Sequence, residues 1–283
     1  LEKNEDSIVK LISSVKNFNN SVYYKKKKID VNLIENDLRK LLGSDFEYPK
    51  SVKGIGATIN KHHTVEHIIK PFLRAKNNVS VNKDGTVRYD MIEMGFTHFK
   101  PKEIGTSIEK LKELGYTHDY EGKALVDDNQ IIEIFPQDVA LPDCTVSGDE
   151  LASDYVINTG NYVDDLLEKL YGLPRFYNFK TKEDTIGHLI IGLAPHTSAG
   201  IVGRIIGYTK TQGCFSHPVW HAAQRRNLDG DENGVMLLID GLINFSRDYL
   251  PDRRGSRTMD ISLVLTSHLY LDQIDDEVHG MDI

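Results

Sequence analysis

Three oxygen-bearing side chains stand at alternate positions in the stretch Gln224-Arg225-Arg226-Asn227-Leu228-Asp229-Gly230-Asp231-Glu232. In extended backbone, residues i, i+2 and i+4 point the same way, so Asn227, Asp229 and Asp231 would converge on one point. Gly230 lets the chain turn tightly between the two acids. Oxygen-only donors suit a hard cation such as Mg²⁺. Mg²⁺ held by one or two carboxylates, with substrate phosphates completing its shell, is a common arrangement for phosphoryl transfer. Two other readings stand beside this one. The first is a solvated acidic turn ahead of a helix, where Asp and Glu are favoured by the helix dipole. The second is a calcium loop, because Asp229, Asp231, Asn233, Gly234 and Asp240 fall on positions one, three, five, six and twelve of an EF-hand pattern. Against it, position twelve is Asp and not the bidentate Glu. The approach His217-Pro218-Val219-Trp220 also carries a proline and shows no helical periodicity.

The charge around this stretch is uneven. The chain has 283 residues and a net charge of −8, which argues against indiscriminate binding to nucleic acid. Residues 48–89 nevertheless carry Lys50, Lys53, Lys61, Lys70, Arg74, Lys76, Lys83 and Arg88 against only Glu66 and Asp84. Residues 185–228 hold no acid at all, but include Arg204, Lys210, Arg225, Arg226 and four histidines. An acid-free approach to a carboxylate pair suits a site that handles a polyanion.

Hydrophobic residues make up 40% of the chain and charged residues 27%, an ordinary globular balance. No apolar run reaches the length of a membrane span, and the first residues are not a signal peptide. The absence of an initiator Met leads us to expect a fragment or one part of a split polypeptide. Cys144 and Cys214 have no CxxC partner, which suggests a reducing compartment and no zinc ribbon. His62, His63 and His67 lack an acidic or cysteine complement and read as surface histidines. The single Gly54-Ile55-Gly56 is a weak phosphate signal.

These residues must be positioned by ordinary elements. Periodicity predicts helices over 5–18 and 30–42, the second stopped by Gly43. Asn82-Lys83-Asp84-Gly85 predicts a hairpin turn between strands at 79–81 and 86–89. A helix is expected around 103–114 with Gly115 as its stop, and a short strand at 131–135. Residues 139–155 read as loop. Helices are expected at about 154–171 and 182–191. Five glycines punctuate residues 192–213, which implies close backbone approach either to other backbone or to a ligand. Val235, Leu238, Ile239, Leu242 and Ile243 predict a buried helix that would anchor the acidic loop. Residues 252–257 read as a basic loop and 261–265 as a strand.

Several longer motifs carry a resemblance. Gly192-Leu193-Ala194-Pro195-His196-Thr197-Ser198-Ala199-Gly200, Gly203-Arg204-Ile205-Ile206-Gly207, and His217-Pro218 through His221-Ala222-Ala223-Gln224-Arg225-Arg226-Asn227 followed by Asp229-Gly230-Asp231-Glu232 resemble the large subunit of the archaeal D-family DNA polymerase. So do Lys83-Asp84-Gly85-Thr86, Thr97-His98-Phe99, Pro101-Lys102-Glu103-Ile104-Gly105 and Asp164-Asp165-Leu166-Leu167-Glu168-Lys169. The resemblance runs from about residue 45 to the end.

It implies an α+β fold: a double-psi β-barrel of a two-barrel polymerase core, with surrounding helices. Residues 1–45 would be a helical appendage or connector, 46–145 a basic mixed α/β region facing DNA, and 146–283 the barrel region with the metal loop. The implied activity is Mg²⁺-dependent transfer of a nucleotide from dNTP to a primer 3′-hydroxyl. Asp229 and Asp231 would hold the metal and Asn227 would support them. Arg225, Arg226, His221, Arg204, Lys53, Lys83 and Arg254 are the expected nucleotide- and DNA-binding residues, and His217 would help shape the loop. No zinc is expected in this segment. The implied partners are primer-template DNA, dNTP, the rest of the large subunit and a small phosphodiesterase-like subunit, with room for a sliding clamp and none for a membrane. The implied location is cytoplasmic, at the nucleoid. The family's second catalytic barrel and its zinc-binding cysteines have no counterpart here, and Leu228 stands where relatives often have Cys. Activity is therefore expected only in the assembled complex. A DNA-binding or assembly module without catalysis is the alternative.

Overall fold

A computed structural model of the chain describes residues 31–43, 66–82, 84–145, 150–195, 197–226, 230–245 and 263–273. The expected helix at 5–18, the Gly54–Gly56 turn and the basic loop at 252–257 lie outside them. The architecture is mixed α+β and divides into two compact units, each assembled from separated stretches of chain. Among the described residues no helix is long and apolar enough to cross a membrane.

The first unit comprises residues up to Val87 together with 158–178 and 239–248. It contains α1 (Val31–Leu42), α2 (Ile69–Lys76), most of α5 (Ala152–Lys169) and most of α8 (Leu238–Asn244). Gly43 ends α1 at φ +88°, as the sequence predicts. Leu38, Leu73 and Tyr162 are buried with Val163, Leu166 and Leu167 of the apolar stripe expected on α5, while Leu170, the fourth residue of that stripe, is only partly buried. The acidic pair of α5 is structural. Asp164 accepts backbone N–H groups of Phe176, Tyr177 and Asn178 at 2.7–2.9 Å. Asp165 holds Lys76 at 2.6 Å and Arg175 at 2.9 Å.

The second unit contains every described strand: β1 (Tyr89–Gly95), β2 (His98–Phe99), β3 (Ile132–Glu133), β4 (Asp138–Pro142), β5 (Leu189–Leu193), β6 (Ala199–Thr209), β7 (Gly213–Ser216), β8 (Glu232–Leu237) and β9 (Val264–Thr266). Its helices are α3 (Pro101–Ile104), α4 (Ile108–Leu114), α6 (Lys182–Thr185) and α7 (Pro218–Ala223). The main sheet runs β4-β7-β1-β8-β5-β6-β9, and β4 also pairs with β6. The pairings therefore return to their start through six strands. Four pairings are antiparallel; β1–β7, β4–β6 and β6–β9 are parallel. Beside this ring, Phe99, Ile104, Leu111, Tyr116, Leu125, Ile132 and Ile134 form a second apolar cluster.

Several expectations are corrected here. Residues 139–142 are not loop but the buried strand β4. The helix expected at 182–191 is the single turn α6 followed by β5. The helix expected around 103–114 is two helices, broken by Gly105 at φ +65° and restarted by the Ser107 cap. Gly85 N–H bonds Asn82 O at 2.9 Å, as the expected hairpin turn requires, yet the described residues on its two sides do not pair as strands. The proline-bearing 218–223 segment is a helix, with Pro218 at its first position, where a missing N–H is no loss. The apolar run at 235–243 is the end of β8 and then α8.

Glycines at 192, 203 and 207 serve close packing. A Cβ on Gly192 would stand 2.4 Å from the Trp220 ring, and one on Gly207 would stand 2.5 Å from Ile104 O. A Cβ on Gly203 would stand 3.1 Å from both Trp220 and Val139. Trp220 is fully buried in this groove and donates its ring N–H to Val202 O at 3.3 Å. This seat fixes α7 across β5 and β6.

Candidate active site

The acidic stretch lies between α7 and β8. Its centre, Asn227-Leu228-Asp229, falls outside the described residues, as do Lys53, Lys83 and Arg254. Its two flanks are described. On the near side, α7 ends at Gln224, and Arg225 takes a left-handed conformation at φ +59°. Its N–H bonds Ala222 O at 2.8 Å, and Arg226 N–H reaches back to His221 O at 3.4 Å. A residue in this conformation closes a helix and redirects the chain. Gly is the usual occupant, so an arginine here carries strain.

On the far side, Gly230 at φ +102° makes the expected turn into β8. Asp231 then continues the antiparallel register of β1 and β8, with Glu93 N–H donating to Asp231 O at 3.0 Å. Its backbone is thus fixed by the sheet while its side chain remains 37% exposed. The guanidinium of Arg226 lies 3.6 Å from the Asp231 carboxylate and 3.4 Å from Pro195 O. Both contacts are long, and the buried Arg226 Nε has no partner among the described residues. The site therefore presents one anchored carboxylate with open lone pairs beside one guanidinium with unspent donors. Such a carboxylate fits a hard cation, and such a guanidinium fits phosphate oxygens. Among the described residues no three His, Cys, Asp or Glu side chains gather as a metal cluster.

The other expected contact residues are placed differently. His221 is fully buried. Its Nε2 lies 2.8 Å from Ser216 Oγ and 3.1 Å from Met94 O, and its Nδ1 is 2.8 Å from Glu93 Oε2. It cannot reach a ligand in solvent. Arg204 is held on β6 by both oxygens of Asp138, at 2.8 and 2.7 Å. Its charge is already answered within the protein. His217 caps α7, accepting Val219 N–H at 3.2 Å, and burial lowers its pKa from the ordinary histidine value. Arg225 and Arg226 remain as the described basic candidates.

The residue that sequence reasoning missed is Glu93, and Asn233 entered that reasoning only as part of the calcium-loop pattern. Glu93 stands on β1, far from the acidic stretch in sequence, and is fully buried. Asn233 donates to Glu93 Oε2 at 3.3 Å. The one sequence hint was Glu93 lying in an otherwise apolar strand pattern, Met91-Ile92-Glu93-Met94.

The calcium-loop reading fails on this geometry. Asn233 and Gly234 lie within β8, and Asp240 is buried inside α8 with Val87 N–H at 2.8 Å. A coordinating loop would have to wrap its ligands around one point.

Comparison with known proteins gives the site its context. A family model described as DNA polymerase II large subunit DP2, catalytic domain, matches residues 45–283. The DNA polymerase II large subunit of Nanoarchaeum equitans is 53% identical over 248 residues, covering 84% of this chain and 20% of that protein. That of Pyrococcus furiosus is 55% identical over 232 residues, covering 82% and 18%. That of Archaeoglobus fulgidus is 48% identical over 260 residues, covering 92% and 22%. The chain thus spans about a fifth of the length of these relatives. A match along nearly the whole chain, at about half identity, means that the chain belongs to the archaeal D-family DNA polymerase II large subunits, within their catalytic domain.

Proposed function

We propose that this chain carries the nucleotidyl-transfer centre of a DNA-directed DNA polymerase, acting in complex with the rest of the large subunit and a small phosphodiesterase-like subunit. The observation that carries the reading is the pairing of an anchored, half-open Asp231 carboxylate with the underused Arg226 guanidinium, in a chain of this family. The closed six-strand ring of pairings supports a double-psi β-barrel as the scaffold.

Asp229 and Asp231 are the proposed metal-holding residues, with Asn227 in support. At such a site a bound Mg²⁺ supplies Lewis-acid activation of the primer hydroxyl and neutralises charge on the phosphoryl group. The protein's own contribution is placement. The β1–β8 ladder fixes the Asp231 backbone, so its carboxylate needs no reorganisation when substrate arrives. Arg226 is proposed to turn its free donors to the triphosphate, for which the planar guanidinium fork is suited. Arg225, with Lys53, Lys83 and Arg254, is proposed to contact DNA phosphates. His221 and Arg204 are left out of that set because one is buried and the other is paired.

The test is primer extension by the assembled complex with Mg²⁺ and dNTPs. Asp231→Asn and Asp229→Asn are each expected to lower kcat by roughly 10²–10³-fold or more. Primer-template affinity should stay level or rise, since negative charge is removed near a polyanion. Undiminished extension by both variants would remove the acids from catalysis and leave a DNA-binding or assembly module.

A further inference from the structure

We infer that Glu93 and His221 are positioning residues: their buried pair ties α7 to β1 and thereby sets Arg226 opposite Asp231. The inference rests on the function proposed above only in what Arg226 does once placed.

The pair joins the two flanks of the acidic stretch. Glu93 fixes the far flank through its backbone N–H to Asp231 O, 3.0 Å. Its side chain approaches His221 on α7 at 2.8 Å and receives Asn233 Nδ2 of β8 at 3.3 Å. The opposite nitrogen of His221 is close to Ser216 Oγ of β7 and to Met94 O of β1. One histidine therefore gathers β1, β7 and, through Glu93, β8. The near flank hangs from that histidine, because Arg226 N–H returns to His221 O and Arg225 redirects the chain just before it.

Arg226 has little to hold it otherwise. Its contacts to Asp231 and Pro195 are 3.6 and 3.4 Å long, and its Nε has no partner among the described residues. Its position is inherited from α7. Trp220 buries α7 in the glycine groove, but apolar packing is non-directional and tolerates small slides. A buried polar pair does not, since a slide would leave a charge or a donor unpaired.

The pair is also not optimised for stability. Among the described residues Glu93 Oε1 and Asn233 Oδ1 have no partner, and the His221 Nδ1 contact is close but poorly aligned for a hydrogen bond. An incompletely satisfied buried network stabilises less than an apolar core of the same shape. Its place directly behind the Asp231 backbone fits a role in specifying geometry.

The test uses the assembled complex of full-length large subunit and small subunit. Amide exchange is measured first, in Glu93→Gln and, separately, in His221→Gln. Either substitution should speed exchange at the amides of Gln224, Arg225 and Arg226 by about tenfold, while β5 and β6 keep their protection. Unchanged exchange at those amides in both variants overturns the inference, whatever the activity. So does uniform loss of protection in both variants, which would make the pair a general support of the fold. Kinetics then follow as a cycle. Glu93→Gln should lower kcat/KM for dNTP by about tenfold with Arg226 present, and by less than about twofold in an Arg226→Ala background. Equal losses in both backgrounds would show that the pair does not act through Arg226. Asp231→Asn runs alongside. If that variant stays active, the proposed function fails on its own, and the exchange result still decides the positioning.

Discussion

Asp240 is a carboxyl group enclosed within the first unit. Burial pushes its pKa up to about 6, against the opposing pull of Val87 N–H at 2.8 Å and Asn244 Nδ2 at 2.7 Å. The folded protein therefore holds this proton to a higher pH than the unfolded chain, whose Asp titrates near 3.9. Between about pH 4 and 6 the folded state binds more protons, so stability falls as pH rises through that window. The total is roughly 3 kcal/mol, reached above about pH 6. Asp240→Asn should flatten this slope, read as melting temperature against pH. The substitution is accommodated because Asn244 Oδ1 has no partner and can accept from the new amide once Asn244 flips. A second residue-scale prediction concerns Arg225. Its left-handed φ of +59° is the conformation in which Gly has no penalty. Arg225→Gly should leave the fold as stable or raise its stability by up to about 1 kcal/mol in denaturant titration, while DNA affinity should fall if Arg225 makes the phosphate contact proposed for it.

The elements around the site are held by shape more than by charge. α7 is six residues long, too short to be stable alone. It persists because Trp220 fills a groove floored by Gly192 and Gly203. Gly192→Ala would put a methyl group 2.4 Å from two ring carbons of Trp220. Neither the fully buried ring nor β5 has room to retreat, so a loss of about 1–3 kcal/mol is expected in denaturant titration. Gly192 is not among the glycines at positive φ, so the loss comes from overpacking and not from backbone strain. Because α7 carries His221 and leads through its Gln224 cap to Arg225, the Gly192 variant should also lose the proposed activity at temperatures where its fold is still intact.

At the scale of the whole second unit, the decisive contact is the pairing of β4 with β6 that closes the ring of strands. Asp138 and Arg204 face each other in register across it, and Tyr116 donates its hydroxyl to the same carboxylate. Burial raises the pKa of Asp138 above the ordinary Asp value, and the Arg204 partner works against that rise. Arg204→Met would strand a carboxylate that is only 3% exposed. The expected loss is about 3–5 kcal/mol near neutral pH. It should shrink as pH falls through the raised pKa of Asp138, because the protonated acid needs no counter-charge. Adding Asp138→Leu should restore much of the stability if the lost pair, and not the lost bulk of Arg204, is the cause. Urea midpoints at two pH values check both statements.

The sequence by itself determined the family and carried the patterns from which the chemistry is proposed. The Asn-x-Asp-x-Asp spacing, the Asp-Gly turn and the paired arginines are local patterns, and local patterns survive in sequence. The helices with one wet face were legible for the same reason: α1 and α5 alternate apolar and polar residues at helical spacing. Most strands were not, although β3 and β9 overlap the strands expected at 131–135 and 261–265. β4 and β5 are buried along their whole length, so the period-2 alternation that marks a half-exposed strand is absent. The end of β8 runs on apolar residues directly into α8, which merged the two into one predicted helix. Only the tertiary structure decided that Arg204 belongs to Asp138 and His221 to Glu93. Those partners lie 66 and 128 residues apart. A side chain's charge says that it needs a counterpart, and only the folded chain says which one stands within reach.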